Sequence, residues 1–256
     1  MAIAALLLTG ATFHANAVPF FWTDWTSSSG ANGFTALGSI TTSASTVDVT
    51  YNNSRGVAFI QTGAGGDIDY WQNNRAGRNP ATSPYTSTQV DNIPTGTDII
   101  ALQFAGPQTL RFSQAIANPV FSFVSLNGNG YAFLNQDFDI LSFGTGIGSG
   151  GLGDNDCGYW GCGGVTKVVV DLGGGNFEYR LNSNGVGGPE PHGSIQFRGA
   201  FDTLAWNSAS DENWNGFTVG VQGTAVDVFP APEPGSLALL SFGLAGIGAL
   251  RRRRRV

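Results

Sequence analysis

The chain has 256 residues, enough for one large β domain or two small ones once short terminal segments are set aside. Only 12% of its residues are charged and 38 are Gly. That profile suits an all-β extracellular protein with many tight turns, since Gly supplies the positive φ that turns need. Five of the 12 basic residues form the run Arg251–Arg255, and Glu233 is the one acidic residue of segment 231–256, so the body keeps 7 basic and 17 acidic residues, a net of −10. Such a body repels phosphate, which argues against nucleic acid as a partner.

Residues 3–13 form an apolar run too short to span a bilayer, followed by Ala15-Asn16-Ala17, the small-x-small pattern cut by signal peptidase. Residues 1–17 therefore read as a signal peptide, with the mature chain starting at Val18. No Lys or Arg precedes the run, which predicts a true start upstream of Met1. The competing reading is a buried N-terminal segment.

The body, 18–223, shows a series of short alternating runs. Val47–Tyr51, Val57–Gln61, Ile99–Phe104 and Thr109–Phe112 come first. Val120–Leu126 and Tyr131–Leu134 flank Asn127-Gly128-Asn129-Gly130, which predicts a hairpin because Asn-Gly accepts the left-handed angles of a type I′ turn. Phe138–Phe143 follows, and then Val165–Leu172 and Phe177–Leu181 flank a second hairpin signal, Gly173-Gly174-Gly175-Asn176. In that second arm Phe177, Tyr179 and Leu181 alternate with Glu178 and Arg180, the pattern of a half-buried strand. Ile195–Phe197, Phe201–Trp206 and Phe217–Val221 complete about a dozen strands. The expected fold is an antiparallel β-sandwich, jelly-roll-like, with the 18 Phe filling its core and one hydrophobic helix at the C-terminus. Segments 72–97 and 144–164 read as long loops, and 224–230 as a linker.

No catalytic constellation stands out. His14 leaves with the leader, and His192, in Gly-Gly-Pro-Glu-Pro-His-Gly, reads as an exposed loop residue with no nucleophile motif to serve. A glycosidase needs two carboxylates facing one cleft, for which Glu178, Glu190 and Glu212 are candidates. The body is nevertheless expected to be non-enzymatic. Cys157 and Cys162, in an exported chain, are expected to form a disulfide, with a metal site as the rival reading. Asp67/Asp69, Asp137/Asp139 and Asp154/Asp156 each offer paired oxygen ligands of the kind Ca²⁺ takes. The pair Asp154 and Asp156 beside the cysteines is the best of them, so structural Ca²⁺ is the one cofactor considered. Trp71 beside Gln72-Asn73-Asn74, Trp160 with Tyr159 in the Cys loop, and Trp214 beside Asp211, Glu212 and Asn213 have the composition of a surface that stacks on sugar rings.

The chain ends in Ala231-Pro232-Glu233-Pro234-Gly235-Ser236, an apolar run from Leu237 to Leu250 and five Arg before Val256. Leu237, Leu239, Leu240, Phe242, Leu244, Ile247 and Leu250 supply the anchor. Arg251, Arg252, Arg253, Arg254 and Arg255 keep its end cytoplasmic by the positive-inside rule, so the body lies outside. Pro-Glu-Pro, apolar helix and Arg cluster in that order resemble the PEP-CTERM sorting tail of Gram-negative bacteria, over about a tenth of the chain. An ordinary tail anchor fits the hydrophobic run but leaves Pro232-Glu233-Pro234 unexplained. The resemblance implies processing by exosortase near those three residues. It also implies passage through the inner membrane to the cell surface or extracellular matrix, in a setting of exopolysaccharide or biofilm. Three roles remain open for the body: a non-enzymatic matrix protein, a carbohydrate-binding, lectin-like and Ca²⁺-stabilised module, or a secreted hydrolase.

Overall fold

The computed structural model describes residues 19–30, 33–184 and 189–229. The predicted signal peptide with Ala15, Ala17 and Val18, the sorting residues Pro232, Glu233 and Pro234, and the anchor from Leu237 to Arg255 lie outside them. Among the described residues no helix is long and apolar enough to cross a membrane.

Strands β1 (Phe21–Trp22), β2 (Asp24–Ser29), β3 (Phe34–Thr41), β4 (Thr46–Asn53) and β5 (Phe59–Gln61) precede a long loop. Next come β6 (Ile99–Leu102), β7 (Gly106–Ala117), β8 (Val120–Val124), β9 (Gly130–Leu134) and β10 (Phe138–Phe143). A second long loop leads to β11 (Val165–Gly173), β12 (Asn176–Ser183), β13 (Gly193–Phe197), β14 (Ala200–Ser208) and β15 (Asn215–Val221). One antiparallel sheet has the order β10-β13-β8-β15-β6-β5, with β1 also on β15, and the other β11-β12-β9-β14-β7-β4-β3-β2. From β6 onward the chain alternates between the sheets at every step but the β11–β12 hairpin, placing β6-β15-β8-β13 opposite β7-β14-β9-β12. That interleaving is a jelly roll, extended at its edges by the remaining strands.

The core lies between the sheets and is built largely of rings. Phe121 stacks on Phe217 with centroids 5.0 Å apart, Trp206 meets Phe217 edge-on at 5.1 Å, and Phe133 meets Phe197 at 4.9 Å. All five residues of β8 are buried, and its polar one, Ser122, is satisfied by the Ser194 hydroxyl at 2.7 Å. Such a strand, covered on both faces, reads as a continuous apolar run rather than an alternating one.

Three sequence expectations change here. The predicted hairpin at 127–130 does not form. β8 and β9 belong to different sheets, and the Asn-Gly segment carries the chain across the sandwich, with Gly128 at φ 60°. The 173–176 hairpin does form, with β11 paired to β12 from Val165↔Ser183 to Gly173↔Asn176. β1, β2 and β3 had no counterpart among the predicted strands. The linker expected over 224–230 begins as structure: Thr224 caps a helical turn, α1 (Ala225–Val228), and bridges back to Ile116 of β7.

The loop between β5 and β6 is ordered by a second, smaller core. Tyr70, Trp71, Tyr85 and Ile93 pack on Ile99 and Val124, with Phe59, Tyr159 and Trp214 at its margin. The 144–164 loop packs against it through Asn74 N–H to the Cys157 carbonyl at 3.0 Å and Asp156 N–H to the Thr82 carbonyl at 2.7 Å.

Candidate functional site

Jelly-roll alternation brings several connections to one end of the sandwich. Glu212 N–H reaches the Gln103 carbonyl at 3.0 Å, linking the β14–β15 and β6–β7 loops, and Leu126 N–H reaches the Pro191 carbonyl at 3.0 Å, linking the β8–β9 and β12–β13 loops. The Cys157–Cys162 disulfide, with its Cα atoms 4.4 Å apart, closes a tight loop beside them. Glu190 N–H donates to the Cys162 carbonyl at 2.8 Å, which fixes that loop to the segment entering β13.

Between these loops lies a cleft of about 360 Å³ lined by Ser125, Asn127, Trp160, Glu190, Glu212, Asn213 and Trp214. Trp160 is 43% exposed and Trp214 half-buried. Both rings rest on the second core. Tyr70 meets Trp214 edge-on at 4.9 Å and stacks against Trp160 at 6.3 Å, and Phe59 supports Trp214 at 5.0 Å. The Arg75 guanidinium lies 4.5 Å from the Trp160 ring centre and 4.7 Å from that of Tyr159.

Neutral donors hold the two carboxylates. The Ser125 hydroxyl and the Asn127 amide, the latter at 3.0 Å, donate to the two oxygens of Glu190. Oε1 of Glu212 accepts from Asn129 at 3.0 Å and from Asn215, whose own amide oxygen accepts from Tyr131. The asparagines that signalled a hairpin therefore orient the acids of the cleft. Burial pushes the Glu212 carboxyl up to about 7, against the lowering effect of the Asn129 and Asn215 hydrogen bonds and with help from the Glu190 charge.

A pH prediction follows from that shift. The folded protein keeps a proton on Glu212 that the unfolded chain surrenders above about 4.5, so this group's contribution to stability declines as pH rises from about 4.5 to 7. Asp98, raised by burial to about 6 from 3.8, acts in the same direction over its own window. His192, lowered by burial from 6.5 to about 4, acts oppositely, losing stability as pH falls from 6.5 to 4. Comparing the parent with Glu212→Gln isolates one of the three. The Tm difference, parent minus variant, is expected to shrink steadily from pH 4.5 to 7, and parallel melting profiles across that range would refute the assignment.

The other predicted residues fall elsewhere. Trp71, expected as a sugar platform, is wholly buried in the second core. It donates from Nε1 to the Asp98 carbonyl at 3.2 Å and packs on Tyr85 at 5.0 Å. His192 is also buried, not exposed. Its Nδ1 faces the Glu190 carbonyl, and its ring lies where a Cβ on Gly158 would come within 2.0 Å of Cγ, so the disulfide loop closes directly over it. Glu178 lies outside the cleft and pairs with Arg180 at 2.6 Å.

Of the acidic pairs, Asp69, Asp137 and Asp139 each bind a cation, Arg78, Lys167 and Arg198 respectively. Asp154 accepts the Gly148 N–H at 2.6 Å and Asp156 accepts from Thr82 and Asn73, so the two carboxylates serve different partners. Among the described residues no three His, Cys, Asp or Glu side chains are grouped to hold a metal ion. A second cleft, about 440 Å³, includes Asp139, Asp154 and Arg198 but no aromatic ring.

Residues 230–255 match the family model of the PEP-CTERM protein-sorting motif. The chain carries a PEP-CTERM sorting tail. The tail marks an exported protein, with exosortase as its processing partner at the membrane and the cell surface as its destination. Comparison with curated proteins and with solved structures gives no match.

Proposed function

We propose that the body is a non-enzymatic extracellular-matrix protein that works by binding glycan in exopolysaccharide, with the Trp160–Trp214 cleft as its site. In this reading signal peptidase removes residues 1–17, and the apolar run holds the chain in the inner membrane until exosortase acts near Pro232-Glu233-Pro234. The supporting observation is the cleft itself, where an exposed and a half-buried indole flank amide and carboxylate groups. Sugar rings present apolar C–H faces and a polar hydroxyl rim, and indole faces beside hydrogen-bonding side chains match both. The lining rings and their support are already packed together, so little ordering opposes binding. Trp160→Ala in the full chain in detergent is expected to weaken binding to its best array glycan by about 30-fold, the ~2 kcal/mol of an anchoring aromatic. Unchanged affinity would remove the cleft from the proposal.

A secreted hydrolase is the second reading, because Glu190 and Glu212 line one cleft and Glu212 keeps its proton to about 7, as a general acid requires. It expects reducing ends released from a polysaccharide and that release abolished by Glu212→Gln. The binding reading expects no release.

A further inference from the structure

We infer that the cleft selects a glycan bearing free amino groups, a de-N-acetylated hexosamine polymer, over neutral or uronic-acid glycans. The inference rests on the proposal that the cleft binds sugar and specifies which one.

The first ground is charge without a counter-charge. The ion pairs among the described residues join Arg55 to Asp211, Arg78 to Asp69, Lys167 to Asp137, Arg180 to Glu178 and Arg198 to Asp139, and none reaches Glu190 or Glu212. The partners of Glu190 and Glu212 are hydroxyl and amide groups, which orient a carboxylate without neutralising it. No Lys, Arg or His lines the cleft. A uronate or sulfate would therefore meet like charge with no cation among the lining residues, the nearby Arg75 being held on the Trp160 ring and the Tyr159 carbonyl, whereas a sugar ammonium would form charge-assisted hydrogen bonds.

The second ground is the aromatic wall. An indole face attracts a cation through its quadrupole, and Trp gives the strongest such contact among the aromatic side chains. The Arg75 guanidinium against Trp160 and Tyr159 shows these rings already in that role. An amino sugar lying on Trp160 or Trp214 offers its C–H face to the ring and its ammonium to the carboxylates, so both contacts come from one residue of polymer.

The acids are also coupled. Glu212 faces Glu190 and the neutral Tyr131, and the adjacent Asp211 is held by Arg55. A bound ammonium favours the ionised form of Glu212, so binding below pH 7 expels a proton from it. Affinity then rises as Glu212 ionises and falls again once the sugar amine loses its own charge.

The test is titration calorimetry of the full chain in detergent, at pH 7 and constant salt, with a chitosan oligomer, its fully N-acetylated counterpart and an oligogalacturonate. The chitosan oligomer is expected to bind at least tenfold more tightly than the N-acetylated one, and the oligogalacturonate most weakly. Glu190→Gln should bring the first two within about threefold of each other, while Asp171→Asn, on an exposed strand away from the cleft, should leave the gap intact. If Glu190→Gln fails to fold, Glu212→Gln makes the same comparison. Equal or tighter binding of the N-acetylated or uronate oligomer overturns this inference and leaves the cleft proposal standing. So does a preference that Asp171→Asn erases equally, since that marks unspecific attraction of a polycation to an acidic body. Absence of binding to any glycan overturns the cleft proposal itself.

Discussion

Cutting the chain after Phe229 is expected to reduce its display on the cell surface to background while the body is still made and exported. The sorting motif occupies residues 230–255, so this truncation removes all of it and leaves the described body whole. The physical case concerns how weakly the tail can hold. As a helix, Leu237–Leu250 would rise about 21 Å against a hydrocarbon core of about 30 Å. Its five Leu, one Ile and one Phe contribute about 2–4 kcal/mol on an insertion scale of ~0.3–0.6 kcal/mol each. The Arg run supplies orientation, since five guanidiniums resist crossing. Such an anchor suits a segment that is presented to a membrane enzyme and then removed. Substituting Ala for Pro232, Glu233 and Pro234 in the full chain separates anchoring from processing. That variant should stay with the inner membrane and retain Val256 by mass spectrometry. Surface labelling of the truncated chain at the level of the parent would disprove dependence on the tail.

The fold was legible where local pattern and tertiary role coincide. Phe138–Phe143 forms β10 as predicted, and the Phe177, Tyr179, Leu181 alternation lies in β12, where Leu181 is buried. β2, Asp-Trp-Thr-Ser-Ser-Ser, and β3, Phe-Thr-Ala-Leu-Gly-Ser-Ile-Thr, escaped because Ser, Thr and Gly dilute the alternation. β2 lies at a sheet edge, where only Trp25 among its side chains is buried. Asn127-Gly128 signalled left-handed backbone correctly, since Gly128 has φ 60°. A local turn preference does not say whether the next strand returns to the same sheet, however, and here it crosses to the other. The site was legible only in its parts. Glu190 and Glu212 were candidates beside Glu178, but what unites the first two is convergence of connections far apart in sequence, which spacing does not report. His192 was misread because Gly and Pro neighbours mark loops, and loops are ordinarily exposed. The disulfide loop covers this one.

Trp71 and Trp160 looked alike in the sequence, each following a Tyr at or within a predicted loop, and the structure separates them into opposite roles that substitution can read. Trp71→Ala is expected to cost about 3–5 kcal/mol, the usual range for emptying the site of a large buried ring. For a body of this size about 2–4 °C of Tm corresponds to each kcal/mol, so the melting temperature should fall by about 6–20 °C. The cost includes the lost Nε1–H bond to the Asp98 carbonyl and the lost edge-on contact with Tyr85, which also leaves Tyr85 beside a void. Wherever the variant remains folded, its glycan affinity should stay within about threefold of the parent, because Trp71 does not line the cleft. Trp160→Ala should do the reverse, moving Tm by no more than a few degrees while weakening binding about 30-fold, since its ring is 43% exposed and lines the cleft. Differential scanning calorimetry and glycan titration on the same two proteins give the four numbers. A Trp71→Ala protein that melts with the parent and has lost its glycan would reverse the assignment, placing the sugar platform on the β5–β6 loop.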